Sequence, residues 1–173
     1  MGELVRQLLE LSHAEGRQPQ MAWVDLSRTV TGEALAFETL AFEQQKRLRC
    51  DIEDGLCLNG NAGQLTQLVS ILLDNAVRHA TGSDIALTLK RQGHTAVLTT
   101  VNECPELSQE QLDRLFERFY RADEARSGDT PHYGLGLSIA RAVAVQHGGG
   151  IRAAWADGRV RFTVTLPLRG RSR

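Results

Sequence analysis

An asparagine sits uneasily in the middle of an apolar helix, yet the stretch ILLDNAVRHA, residues 71–80, carries Asn75 there. Its side chain competes for nearby backbone groups, and a buried amide costs free energy unless it is hydrogen-bonded. Ile71, Asn75 and His79 recur every four residues and so share one helix face, with Arg78 beside them. An amide, an imidazole and a guanidinium so placed suit an anionic ligand; an ordinary polar flank beside a core stripe is the plainer alternative. A second group lies in GLGLSIARAV, residues 134–143. Glycines at a helix entry let a ligand approach the backbone, and the free amides of the first turn favour phosphate. The preceding SGDTPHY reads as loop. That argues against a dinucleotide-binding fold, which needs a strand immediately before its glycines.

These residues need elements to position them. Leu65, Leu68, Leu72 and Ala76 form a core stripe on a helix expected over about 61–80. Before it, Ser27 is a plausible cap for a helix to about residue 48, with Val30, Ala34, Phe37 and Ala41 on one face. LRCDIE and LCLNG read as short strands flanking a turn at Asp54-Gly55. After the helix, DIALTLKRQ and TAVLTTVN alternate as an antiparallel hairpin around Gly93. Residues 108–118 read as a short helix capped by Ser108, 121–133 as loop, and about 135–147 as a helix ended by the glycines at 148–150. Two strands around Asp157-Gly158 close the chain. Hairpins separated by helices imply an α/β two-layer sandwich, its mixed, mostly antiparallel sheet covered on one face by about three helices. At the other end, Leu4, Leu8 and Leu11 have coiled-coil spacing on a helix too short to be stable alone, followed by a linker-like GRQPQ at 16–20.

LLDNAVRHA, FERFYR at 116–121 and GLGLSIA at 134–140, in that order, resemble the N box, F box and second glycine box of the catalytic, ATP-binding domain of sensor histidine kinases, within the GHKL ATPase superfamily. The resemblance extends over essentially all 173 residues. It implies residues 1–18 as the end of the dimerisation helices with a linker, and 19–173 as the ATP-binding domain. It also implies ATP and Mg²⁺ as cofactors. Asn75 would ligate the Mg²⁺ that bridges the phosphates, which suits a hard cation, and Arg78 would reach toward phosphate. His79 would lie against the nucleotide, and Arg121 at the base of the ATP lid, over 121–133, would touch the γ-phosphate. Gly134 and Gly136 would bring amides to the phosphates, with Tyr133, Leu135 and Leu137 beside them, while Phe116 and Phe119 would anchor the lid in apolar packing.

The sequence departs from that family at three places. Where the first glycine box reads approximately DNGPGI, this chain has NECPEL, residues 102–107. The adenine-binding aspartate becomes Asn102, and the two glycines become Cys104 and Glu106. If the glycine positions need left-handed backbone, these changes together cost roughly 3–5 kcal/mol of binding. Two readings therefore stay open: a live kinase, or a degenerate scaffold acting by protein docking. The superfamily's hydrolytic glutamate, four residues before the asparagine, is Ile71, so simple ATP hydrolysis is not expected. The phosphoacceptor histidine of the dimerisation helices has no counterpart, because His13 lies at the wrong end of its helix and lacks an acidic residue immediately after it.

Composition is consistent with this. Lys plus Arg number 20 against 21 Asp plus Glu, so no global field points to nucleic acid or an anionic membrane; the basic RGRSR at 169–173 reads as a solvated terminus. Three cysteines without paired spacing fit a reducing cytoplasm. The expected partners are the dimerisation and phosphoacceptor helices and a response regulator's receiver domain. Residues 1–173 contain no membrane-spanning run, although family habit points to a membrane receptor with this part in the cytoplasm.

Overall fold

A computed structural model describes residues 2–16, 19–122 and 133–168. The elements are α1 (Gly2–Gly16), β1 (Ala22–Asp25), α2 (Leu26–Glu43), β2 (Arg47–Ile52), β3 (Cys57–Gly60), α3 (Ala62–His79), β4 (Asp84–Gln92), β5 (Thr95–Glu103), α4 (Gln109–Arg114), α5 (Gly136–Gln146), β6 (Gly150–Ala156) and β7 (Arg159–Pro167). Residues 123–132, most of the expected lid, and the basic tail at 169–173 lie outside the described residues.

The main sheet has five strands in the order β2-β4-β5-β7-β6, antiparallel except for the parallel β2–β4 pair. Register places every second residue of β4, β5 and β7 beneath the helices: Ile85, Leu87 and Leu89 beside Leu98, Val160, Phe162 and Val164, all buried. Helices α2, α3 and α5 supply the other side, with Val30, Leu65, Leu72, Ile139 and Val143 at most 2% exposed. This is the expected two-layer sandwich.

The two short strands of the sequence reading do not pair with each other. β2 joins the main sheet beside β4, whereas β3 pairs with β1 in a separate two-stranded sheet. β1 itself was not expected; four residues with an exposed Trp23 offer almost no periodicity. The cap of α2 is also Asp25 rather than Ser27: the Asp25 carboxylate accepts from the Arg28 amide at 3.0 Å. Ser27, two residues on, is buried and ties down the β2–β3 turn, donating to the Glu53 carbonyl at 2.6 Å and accepting from the Leu56 amide at 3.0 Å. The helix after Ser108 stops at Arg114, short of 118.

α1 is seated on the body of the protein rather than projecting from it. It packs against α5, Leu11 is buried in the core and Leu4 packs at its margin, while Leu8 stays 40% exposed. His13 is exposed in the last turn.

A buried histidine joins the two helices that matter most. The His147 imidazole accepts the Asn61 amide at Nε2 (3.0 Å), and Nδ1–H donates to the Val143 carbonyl at 2.7 Å. Asn61 in turn caps α3, accepting from the Gln64 amide at 2.9 Å. Burial holds the His147 pKa below the usual histidine range, against an opposing pull from the Val143 carbonyl. The unfolded chain therefore takes up the proton first as pH falls. Stability should decline from about pH 6.5 downward and level off below the folded pKa. Urea unfolding of wild type and His147→Gln at pH 7.5 and 5.0 checks this: the variant should lose roughly 1–3 kcal/mol at pH 7.5, with the gap narrowing at pH 5.0. A gap constant with pH would contradict it.

Candidate functional site

α3 owes its length to a wide apolar face. Leu65, Leu68, Val69, Leu72, Leu73 and Ala76 are buried, and their burial outweighs the poor propensity of the polar positions beside them. Lys46 donates its ammonium to the Val77 carbonyl, and Arg78 and His79 place basic groups in the last turn. On the edge of this face, Ile71 and Asn75 are half-buried and His79 is exposed, and all three line a cavity of about 1120 Å³. The other walls come from the β5–α4 connection, the start of α5, and α1.

No hydrogen bond ties the Asn75 amide to any described residue, so its oxygen is available to the cavity. Arg78 also lines the cavity, but its Nε donates to both oxygens of Asp74 at 2.8 Å. Asp74 was missed in the sequence, although an Asp–Arg pair at i, i+4 is legible in DNAVR. Arg121 is exposed at the cavity's edge.

Across the cavity, α5 begins without a side-chain cap at Leu135. The first-turn amides of this 11-residue helix are therefore open donors beside Tyr133, Gly134, Gly136 and Leu137, all of which line the cavity together with Leu135. An uncapped helix start facing a cavity presents unpaired N–H donors and the positive end of the helix dipole to it. Of the two expected anchors, Phe116 packs edge-on against Phe162 at 6.3 Å. Phe119 does not pack: it is 56% exposed, with backbone φ of 65°. Its amide donates to the Gly134 carbonyl at 3.0 Å.

Asn102 does not line the cavity but lies under its floor. It is 1% exposed, its cross-strand neighbour Val160 and the nearby Cys104 both line the cavity, and its Oδ1 is buried with no partner. Its Nδ2 donates to the Glu103 carbonyl at 3.1 Å, which orients the amide and leaves the oxygen as acceptor. A buried, unmatched acceptor is costly until something donates to it.

The rewritten glycine box is unstrained. Among described residues only Gln45, Phe119 and Asp157 are non-glycines at positive φ, so neither Cys104 nor Glu106 bears a left-handed penalty. The backbone at Cys104 is held by its amide donating to the Gly158 carbonyl at 3.0 Å and by Trp155 Nε1 donating to its carbonyl at 3.4 Å. Burial pushes the Cys104 thiol up, leaving it uncharged at neutral pH. Glu106, exposed at the rim, is the one residue of the box that brings negative charge to the cavity. The expected penalty therefore shrinks to the lost charge at Asn102 and the added charge at Glu106.

The donor set fits a nucleotide with one divalent cation: a free amide oxygen, open helix amides, arginines and an inward acceptor. Mg²⁺ needs few protein ligands, and among described residues no group of three or more acidic, His or Cys side chains offers an all-protein cage instead.

Residues 60–170 match the family described as histidine kinase-, DNA gyrase B-, and HSP90-like ATPase. The chain is 38% identical over 170 residues to the sensor protein DltS of Streptococcus agalactiae serotype III, covering 96% of this chain and 43% of that protein. It is 33% identical over 172 residues to the sensor-like histidine kinase SenX3 of Mycobacterium tuberculosis, covering 97% and 42%. The chain thus spans less than half the length of these relatives. In fold it is similar to full-length ShkA solved with AMPPNP, at a TM-score of 0.84 and 19% identity, covering 99% of this chain and 36% of that one. It is likewise similar to the Acinetobacter baumannii histidine kinase AdeS, at a TM-score of 0.79 and 22% identity, covering 98% and 79%.

Proposed function

The chain belongs to the histidine kinase-, DNA gyrase B-, and HSP90-like ATPase family, and from that premise we propose that it binds Mg²⁺-ATP as the catalytic part of a sensor histidine kinase. The observation that carries the reading is a single cavity joining the unpartnered Asn75 amide to the uncapped start of α5. Asn75 would hold the cation, which when bound neutralises charge on the phosphates. The amides from Gly136 onward would receive phosphate oxygens, and Arg121 would approach from the rim. Arg78 would offer its Nη groups to the phosphates while Nε stays on Asp74. Asn102 does not line the cavity, so its buried and unmatched Oδ1 would accept from an exocyclic amine of the base only once the floor formed by Val160 and Cys104 parts above it. Because Nδ2 is committed to the Glu103 carbonyl, this site prefers a 6-amino purine over a 6-oxo purine, which would set acceptor against acceptor.

Phosphoryl transfer depends mostly on positioning and charge stabilisation, and this chain supplies groups for both. Ile71, half-buried in the cavity wall, has no proton-accepting group. Transfer to a histidine of the dimerisation helices, with α1 as the end of one of them, and onward to a response regulator fits better than hydrolysis. A cytoplasmic location follows from that role. The second reading, a scaffold that binds partners but little nucleotide, is favoured by the Glu106 carboxylate in the cavity and by the uncharged Asn102 beneath it.

Calorimetric titration decides between them. A non-hydrolysable ATP analogue should bind in the micromolar range with Mg²⁺, and the guanine analogue at least about tenfold more weakly. No heat up to millimolar nucleotide from a folded sample would overturn the ATP-binding reading in favour of the scaffold.

A further inference from the structure

We propose that Arg6 of α1 is a phosphate-binding residue of the nucleotide site, held in reserve by Glu3 and Glu10 until a triphosphate draws it away; the inference rests on the ATP-binding reading above. α1 is a wall of the cavity. Glu3, Arg6, Gln7 and Glu10, one turn apart along one face, line it together with Gln67, Ile71, Asp74 and Asn75 of α3. The wall is fixed in two ways: Leu11 is buried in the core, and Gln67 Nε2 donates to Glu10 Oε2 at 2.9 Å.

Within this wall each nitrogen of the Arg6 guanidinium is engaged but weakly held. Nη1 donates to Glu10 Oε1 at 2.6 Å, Nη2 to Glu3 Oε1 at 2.6 Å and Nε to Glu3 Oε2 at 3.1 Å. The arginine side chain is 61% exposed, and exposed ion pairs of this kind contribute little in water. A polyphosphate offers the same guanidinium a more highly charged, bidentate acceptor. The exchange strands neither carboxylate, because each keeps an amide donor: Glu3 retains Gln7 Nε2 at 2.9 Å, and Glu10 retains Gln67. The arrangement repeats on α3, where Arg78 is likewise tied to Asp74. The cavity thus carries two arginines paired with carboxylates of their own helix.

The test uses the full chain with a non-hydrolysable ATP analogue and ADP, each with Mg²⁺, and thermal melts to verify folding. Arg6→Ala should weaken the triphosphate about tenfold and the diphosphate less than about threefold, with Arg6→Lys between. The double variant Glu3→Gln, Glu10→Gln should tighten the triphosphate, since it removes both the competitors and their repulsion. Opposite signs from breaking the same ion pairs are what a mere structural clasp would not give. Unchanged affinity in Arg6→Ala, or equal weakening of both nucleotides by both variants, overturns the proposal and leaves the ATP-binding reading standing. A wild type that binds no nucleotide overturns both.

Discussion

Replacing Asn75 by alanine should lower affinity for the Mg²⁺-bound triphosphate by two decades or more, about 2.7 kcal/mol, without destabilising the protein. The two halves of this expectation have separate causes. The amide has no partner among the described residues, so its removal strands no group, and alanine is the better helix former by a few tenths of a kcal/mol. Neighbours Ala76 and Leu72 carry the packing on this part of α3 and are untouched. The melting temperature should therefore stay level or rise while binding fails. That combination marks a residue kept for a ligand at some cost to the helix. Titration with and without Mg²⁺ isolates the cause: the loss should disappear in chelator, where wild type and variant bind equally weakly. Asn75→Asp, which keeps an oxygen ligand, should retain most metal-dependent binding. A variant that binds like wild type in the presence of Mg²⁺ would remove Asn75 from the site.

How far this could be read beforehand differs between local and distant features. α3 and its polar edge were legible because one 3.6-residue period governs both the buried stripe and the positions beside it. The β4–β5 hairpin was legible because alternation and Gly93 agree. The pairing of β2 and β3 was not: adjacency in sequence suggested a hairpin, whereas β2 finds its partner β4 more than thirty residues away, across α3. Asp25 and Ser27 are both good caps, and the choice between them turned on which hydroxyl or carboxylate the 53–56 turn would bury.

The site divides in the same way. Asn75, Arg78, Gly134 and Gly136 were found by spacing and by resemblance, and the cavity gathers them. Asn102 was found by the resemblance alone, but its immobilised amide depends on the Glu103 carbonyl, which only the folded strand end supplies. The penalty expected for Cys104 and Glu106 depended on a backbone angle that residue type does not reveal. α1 gave the least warning. Its leucine spacing announced a helix, but nothing local showed that the helix would lie against α5 with Arg6 facing the cavity.

The second large effect falls at the other wall. Gly134 has φ of 70°, and a Cβ there would stand 2.7 Å from the Tyr120 carbonyl oxygen and 2.9 Å from the Phe119 carbonyl carbon. Both are backbone atoms, so neither can swing aside as a side-chain tip could. Gly134→Ala should therefore cost about 2–4 kcal/mol, from left-handed strain together with the clash. The damage is local to function. Phe119, itself at positive φ, donates to the Gly134 carbonyl, and this contact clasps the two ends that flank residues 123–132. Forcing it apart moves Arg121 away from the open amides of α5, so nucleotide affinity should fall further than stability explains. Gly136→Ala is the control two residues on. Its Cβ would meet only Ile71 Cγ2, at 3.4 Å and with no positive φ, so unfolding in urea should change by less than about 1 kcal/mol. Equal stability losses in the two variants would mean that the clasp is not what Gly134 protects. A large loss at Gly134 alone, with binding falling further still, would place the conformational demand of this glycine pair on its first member.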